Sequence, residues 1–175
     1  VSAIALTDGG SPVIAVSVAQ LHDDASVLDL IGSAFTLRVS DTAAHVQADL
    51  TGGSSHILAA LADIDDLVVS DAGVISLTVA QISAAGVNDG AGSALGLMSG
   101  GTVAVTGAHV ADLDALVGMT VVPDAIMIVD NGPAIASDLS SVGSDLVANR
   151  TLIPSITVTG NTEISLTAAD VLASG

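Results

Sequence analysis

The sequence repeats itself with a period of 89 residues. When the chain is aligned with itself at this offset, residues 13–81 run alongside residues 102–170 without a gap, and 16 of the 69 positions are identical. Chance alone gives about eight identities in so biased a composition, so the placement of the matches matters more than their number. Seven of the 16 fall in strand-like segments, four of them in Ile75–Thr78, which matches Ile164–Thr167. A fixed period of this kind is typical of a solenoid or an array.

Short runs rich in β-branched residues predict strands along the whole chain. The predicted strands are residues 3–6, 13–17, 35–40, 67–70, 74–78, 102–106, 125–129, 155–159 and 163–167. The starts of six of them, at residues 13, 36, 67, 102, 125 and 156, are separated by 23, 31, 35, 23 and 31 residues. Three unequal units therefore make one period.

Most segments between the strands have the spacing of an amphipathic helix. The clearest apolar stripe places its residues at i, i+4, i+7 and i+11, and two shorter stripes accompany it. The three stripes are Ile135, Leu139, Val142 and Leu146; Val110, Leu113, Leu116 and Val117; and Ile57, Leu61 and Ile64. Strand, helix and strand at this spacing form a βαβ unit with parallel strands and a right-handed crossover.

These patterns predict an α/β fold, specifically a right-handed α/β solenoid of strand-helix rungs with a parallel sheet and three rungs per 89-residue repeat. We expect residues 1–175 to form a single repetitive segment. Its copies span about 13–101 and 102–175, with a partial copy at 1–12. Residues 8–12 and 71–73 join strand to strand directly, either as hairpin turns or as solenoid corners. The sequence leaves both geometries open, and the repeat favours corners.

The charge of the chain excludes several kinds of partner. The acidic residues are 18 aspartates and Glu163, whereas Arg38 and Arg150 are the only basic residues besides histidine. So negative a chain repels nucleic acid and anionic membranes. The longest stretch without charged residues, 90–111, is interrupted by glycine, serine and His109, so we expect no membrane insertion.

No combination of residues predicts catalysis, so we do not expect an enzyme. Serine, histidine and aspartate are all present, but the Gly-x-Ser-x-Gly motif is absent. The histidines lack the spacing of a metal motif, which favours structural or surface roles. They are His22, His45, His56 and His109.

Calcium is the one ligand that the acidic loops suggest, because carboxylates at short spacing can ligate it. The best candidates are Asp63, Asp65, Asp66 and Asp89. None of the loops matches an EF-hand or the Gly-Gly-x-Gly-x-Asp nonapeptide, so helix caps and turns are the alternative role for these residues. No other cofactor is expected.

Three phrases resemble the repeats of very large bacterial surface proteins, in which V-x-D-T-A-A-x-V and L-T-x-A-Q segments alternate. They are Val39–Val46, Val69–Gln81 and Ile4–Gly10. The second copy departs from the pattern, with Asn131-Gly132-Pro133-Ala134 and with Gly160 in place of the turn aspartate. The family often carries RTX repeats and type I secretion signals, and neither occurs in this sequence.

The resemblance implies an extracellular or cell-surface protein that forms part of a stalk, filament, adhesin or matrix. The alternative is a calcium- or glycan-binding adhesion module. Open solenoid ends expose strand edges and apolar side chains, so we expect end-to-end self-association or stacking with further repeats of the same chain. The chain begins without a methionine, as a piece of a longer protein does.

Overall fold

The structure is a computed structural model, and it describes residues 3–7, 9–160 and 162–167. Strands and short helices alternate along the described chain. The strands are β1 (Val13–Val16), β2 (Thr36–Asp41), β3 (Asp66–Val69), β4 (Val74–Thr78), β5 (Met98–Ser99), β6 (Thr102–Ala108), β7 (Ala125–Asn131) and β8 (Ser155–Thr159). The helices are α1 (Val18–Asp23), α2 (Ala25–Leu28), α3 (Ala43–Thr51), α4 (His56–Ala59), α5 (Val79–Ile82), α6 (Leu113–Val117), α7 (Gly132–Leu139) and α8 (Asp145–Ala148), with a 3₁₀ helix, η1, at Val110–Asp112.

The strands form two four-stranded parallel sheets. The strand order is β1-β2-β3-β5 in the first sheet and β4-β6-β7-β8 in the second. In the first sheet Val39 lies opposite Leu67, and in the second Ile128 lies opposite Ile156. The α/β class predicted from the sequence is confirmed. The continuous solenoid with three rungs per repeat is not shown by these sheets and stays a prediction.

The core is aliphatic and follows the alternation expected of strands. Leu37 and Val39 are buried in β2, while Ile126 and Ile128 are buried in β7. The helices contribute leucine, isoleucine and valine from one face each; Val46 of α3, for example, is fully buried. Small, similar side chains therefore fill both sheets' interiors without an aromatic residue.

Most strands begin within one residue of the predicted positions, and two predicted strands fail. Residues 163–167 are described without strand structure, and residues 3–6 form only a single bridge from Ile4 to Ile31. The sequence Ile-Ser-Leu-Thr is the same in β4 and in residues 164–167. In the described chain β4 has β6 beside it, whereas no later segment is described beside residues 163–167. A segment with strand propensity forms a strand only where another strand pairs with it.

The longest predicted helix is wrong as a single element. The stripe from Ile135 to Leu146 is divided between α7 and α8 by the turn at 140–143. α7 ends at Leu139 with Ser140 as its C-cap, and Gly143 adopts a left-handed conformation, φ +83, later in the turn. Val142, a predicted member of the stripe, is fully exposed in this turn. The stripe at Ile57, Leu61 and Ile64 likewise exceeds α4, which ends at Ala59.

The connection at 71–73 is not a hairpin, because β3 and β4 belong to different sheets. A Cβ atom on Gly73 would lie 2.7 Å from the Cβ of Ala43, so the turn approaches the start of α3 closely. Ala72 adopts φ 51 in this turn. The possible turns at 8–12 and 160–162 include Asp8 and Asn161, which lie outside the described residues.

The chain divides into two compact units. Unit 1 comprises Val1–Ile75 and Ser83–Thr102, and unit 2 comprises Ser76–Ile82 and Val103–Gly175. The second predicted copy begins at residue 102, next to this boundary. In the part of the chain that the structure describes, no helix has the length and apolar character needed to cross a membrane.

Candidate functional site

Aspartates at strand ends bind the first amide of a helix in the preceding strand-helix unit. In unit 1, the N–H of Val18, the first residue of α1, donates to Oδ2 of Asp41 at 3.1 Å. The same carboxylate accepts the N–H of Thr42 at 2.8 Å. The first amides of a helix have no partner within the helix, and a carboxylate there also interacts favourably with the helix dipole. Asp41 therefore links two consecutive strand-helix units 23 residues apart.

This link recurs along the chain. The N–H of Ala43, at the start of α3, donates to Oδ1 of Asp71 at 3.0 Å. In unit 2, the N–H of Val110, at the start of η1, donates to Oδ2 of Asp130 at 3.0 Å. At the start of α7, the N–H of Gly132 donates to Oγ1 of Thr162 at 2.9 Å. In the second copy Gly160 stands in the place of Asp71, and the Thr162 hydroxyl accepts the helix amide instead.

A second kind of link lies at strand starts. The Leu37 N–H donates to Oδ2 of Asp65 at 2.8 Å, and the Asp65 N–H donates back to the Leu37 carbonyl at 2.9 Å. In unit 2, Val103 and Asp124 form the same pair of bonds, both 2.8 Å long. These aspartates extend the backbone ladder by one side-chain bond before the parallel strands begin.

A third network fastens the loop after a helix, and it is repeated at the 89-residue offset. In unit 1, buried Asp49 accepts the Ser55 hydroxyl at 2.5 Å and the N–H groups of His56 and Ile57 at 2.9 and 3.1 Å.

In unit 2, Asp138 accepts the hydroxyl of Ser144 and the N–H groups of Asp145 and Leu146, the two amides at 3.1 and 3.2 Å. Each acceptor and each donor in the second network lies 89 residues after its counterpart in the first. The two copies therefore share the hydroxyl bond and both amide bonds of this local structure.

The hydrogen bonds lower the pKa of two of these carboxyl groups. Burial alone raises the pKa of Asp41, but hydrogen bonds with the His45 ring and the N–H groups of Thr42 and Val18 outweigh it, so the pKa lies below its usual value. The pKa of Asp71 is lowered by the N–H of Ala43 and then by that of Gly73. Both groups are therefore held in the charged form that the helix starts require.

Three of the histidines line one pocket of about 350 Å³ in unit 1. His22 lies in the last turn of α1, His45 lies in the first turn of α3, and His56 begins α4. The rings of His22 and His56 are in edge contact, with centroids 4.2 Å apart. Ala19 and Ala48 also line this pocket, and their small side chains leave space between the helices.

Each of these histidines has a carboxylate at Nδ1. The Nδ1–Oδ1 distances are 2.8 Å for His22 and Asp23, 2.7 Å for His45 and Asp41, and 3.0 Å for His56 and Asp49. A carboxylate at Nδ1 fixes the ring orientation and leaves Nε2 as the free nitrogen.

The lining of this pocket supplies proton acceptors but no serine, threonine, cysteine or lysine nucleophile. The three histidines are also absent from the second copy, where the offset places Ala111, Ala134 and Asp145. The pocket is therefore a feature of unit 1 alone, in contrast to the aspartate networks.

The four predicted calcium ligands are engaged separately. Asp65 accepts the Leu37 N–H, as described above, and Asp66 accepts Nε of Arg38 at 2.8 Å. Asp89 accepts the Gly86 N–H at 2.9 Å, and Asp63 borders a different pocket of about 240 Å³. Within the described ranges no group of three His, Cys, Asp or Glu residues is placed to hold a metal ion. Calcium binding stays a prediction.

In the sequence, the short polar pair Asp41-Thr42 directly precedes residues 43–46, which predicts that these two residues mark the start of that helix. Thr42 caps that helix, and Asp41 reaches back to the preceding one. The Asp49 and Asp138 networks were missed, although the signal was present: both the aspartates and their serines, Ser55 and Ser144, are identical at the 89-residue offset.

Comparisons of the chain with family models, with curated proteins and with solved structures gave no match.

Proposed function

We propose that this chain is a structural repeat segment of an extracellular bacterial protein, in which stacked strand-helix rungs form a solenoid that serves as a stalk, filament or matrix. The observation that carries the proposal is the repetition of the Asp49 network by Asp138, donor by donor, at an offset of 89 residues. A chain whose aspartates form the same hydrogen bonds to the backbone in each copy is suited to repeating one structure.

The hydrogen bonds between consecutive strand-helix units support a solenoid. Asp41, Asp71 and Asp130 each bind a helix start in the preceding strand-helix unit. Such nearest-neighbour bonds are what a stacked architecture needs, because each rung contacts only the rungs next to it. Parallel pairing supports the same geometry, since a parallel sheet grows by adding one strand-helix unit at a time.

The surface location rests on the resemblance of residues 39–46 and 69–81 to repeats of large bacterial surface proteins. The high proportion of aspartate fits this location, because a strongly negative surface stays soluble at high local concentration. In cells that produce the protein, antibodies against the chain should label intact cells. Labelling only after lysis would contradict a surface location.

The solenoid is tested by lengthening the chain. A variant in which residues 13–101 are duplicated in tandem adds one full period of three rungs. Because neighbouring strands are about 4.8 Å apart, a solenoid should lengthen by roughly 14 Å. Small-angle X-ray scattering measures this increase as a longer maximum dimension at an unchanged cross-section.

A closed globule would behave differently, because added residues would enlarge its cross-section as well as its length. Growth in the cross-sectional radius, with little change in maximum dimension, would overturn the solenoid. Circular dichroism of both chains provides the control, because the helix and strand fractions should be the same in the longer chain.

A further inference from the structure

Residues 164–167 and β1 each leave exposed at least one apolar residue whose counterpart is buried where β4 and β6 lie side by side. At that internal junction, Leu77 of β4 is 1% exposed, and Val103 and Ala104 of β6 are 1% and 4% exposed. The hydroxyl of Thr106 donates to the Leu77 carbonyl across the junction. This junction shows what the repeat places beside a β4-type segment.

A second β4-type segment lies at residues 163–167, and within the described residues no strand lies beside it. Residues 164–167 repeat the sequence of β4, but Ile164 is 42% and Leu166 37% exposed, whereas Leu77, the counterpart of Leu166, is buried. The adjacent edge strand β8 is exposed at every position. Its Ile156 is 44% exposed although Ile128, its partner in β7, is fully buried.

The N-terminal end carries the complementary segment. At the 89-residue offset β1 corresponds to the first residues of β6, with Ala15 and Val16 identical to Ala104 and Val105. Ala15 is exposed where Ala104 is buried, Ile14 is half-buried where Val103 is buried, and Val13 is exposed like its counterpart Thr102. β1 pairs on one side only, with β2, and forms an outer edge of its sheet.

We propose that a second copy of this chain docks its β1 onto residues 163–167 of the first, as β6 lies beside β4 within one chain. The inference rests on the proposed structural function and adds the two surfaces and their order. Because the two surfaces differ, the contact is head-to-tail, and each added copy presents a fresh C-terminal end. The product is an open linear assembly in which the last segment of one chain and the first strand of the next rebuild an internal junction.

The net charge of −17 on each copy opposes this contact. Salt shortens the range of the repulsion, from a Debye length of about 30 Å at 0.01 M to about 8 Å at 0.15 M. Assembly should therefore strengthen as salt is added, in contrast to an association held together by ion pairs.

Two variants block one end each without touching a buried residue. The tail variant carries Ile164→Asp and Leu166→Asp, and the head variant carries Val13→Asp and Ala15→Asp. The control is Val142→Asp, which adds a charge at a fully exposed valine in the turn between α7 and α8, outside both docking segments in the sequence. Circular dichroism and melting of every variant report folding independently of assembly.

Sedimentation velocity at about 0.15 M salt gives the decisive comparison. The wild-type chain and Val142→Asp should form a series of species beyond the dimer as concentration rises. The head variant alone and the tail variant alone should stay monomeric. Their equimolar mixture should double in mass and stop at the dimer, because each partner then contributes its one intact end.

A wild-type chain that stays monomeric at high concentration, or a mixture that does not dimerise, would overturn the docking. Dimers of the head variant alone would indicate a symmetric tail-to-tail contact and would also overturn it. The solenoid itself is judged by the lengthened chain. If that chain grows in length while the mixture stays monomeric, the proposed function stands and head-to-tail docking fails.

Discussion

At the scale of single residues, the acidity of this chain is used for hydrogen bonding to its own backbone. Asp49 is the clearest case, because one buried carboxylate satisfies a serine hydroxyl, two amides and the Nδ1 of His56. Replacing such a group leaves several buried donors without a partner, which costs more than the loss of any single bond.

We therefore expect Asp49→Ala to lower the free energy of unfolding by about 2–3 kcal/mol, because the donors it abandons are enclosed. Asp138→Ala should lower the stability of unit 2 in the same way but by less, since half-buried Asp138 forms the hydroxyl and amide bonds without the bond to a histidine ring. Urea denaturation followed by circular dichroism measures both. The matched control is Asp29→Ala at an exposed aspartate, which should change stability by less than about 0.5 kcal/mol. Equal effects at all three positions would contradict a structural role for the network.

The fold disfavours the ionised form of Asp145. Burial, followed by the charges of Asp114 and Asp138, raises the pKa of Asp145 above its usual value. The folded chain therefore binds the proton more tightly than the unfolded chain, and stability is lost as pH rises through this pKa. Asp145→Asn should raise the melting temperature near pH 7 by a small amount, since surface charge effects are worth about 1 kcal/mol or less. Below about pH 3.5, where an ordinary aspartate is largely protonated, the gain should disappear. A gain that is independent of pH would point to a cause other than this charge.

At the scale of elements, carboxylates connect consecutive strand-helix units. The charge of Asp71 matters here, because its lowered pKa reflects the helix start that it binds through Ala43. A lowered pKa contributes stability that is present above the unfolded pKa and is lost as pH falls through the folded one.

Asp71→Asn keeps an oxygen acceptor and removes the charge, so we expect a lower melting temperature at neutral pH. The difference from the wild type should shrink as pH falls into the range where the wild-type carboxyl is itself protonated. Hydrogen exchange at the Ala43 amide gives the local readout and should be faster in the variant. A variant that melts like the wild type at neutral pH, with unchanged exchange at Ala43, would contradict the link.

The elements also show what the sequence could and could not predict. β2 and β7 were found almost to the residue, because β-branched runs between polar turns identify strands locally. The stripe through Val142 failed because the turn at 140–143, in which Gly143 has a positive φ, separates two helices, and an apolar stripe carries no information about where the backbone leaves the helical conformation.

The candidate site divides in the same way. That strand-end and helix-start aspartates act as caps was predictable from residue type. The reach of Asp41 to Val18, 23 residues earlier, was not, because it depends on which units are neighbours in space. The pocket of His22, His45 and His56 was also hidden, since three helices bring together residues without any common spacing.

At the scale of the whole molecule, charge opposes the packing that the repeats create. With 19 acidic residues against two basic ones, each chain repels itself when it folds compactly. Most of the acidic groups that bind backbone amides would keep those bonds in salt, because short, partly buried contacts are screened much less than distant surface charges.

Added NaCl should therefore raise the melting temperature of the chain steadily as the Debye length falls below about 10 Å. Differential scanning calorimetry at pH 7 measures this rise, and MgCl₂ at matched ionic strength should follow the same curve if screening is the cause.

Calcium gives the discriminating comparison, because a ligand bound only by the folded form adds to the melting temperature with its own concentration dependence. If CaCl₂ raises the melting temperature more than MgCl₂ does, and Asp66→Asn removes this difference, the chain has a calcium site that includes Asp66. A melting temperature that falls as NaCl is added would show instead that ion pairs such as Arg38 with Asp66 outweigh the repulsion, and it would contradict the charge argument on which salt-driven assembly rests.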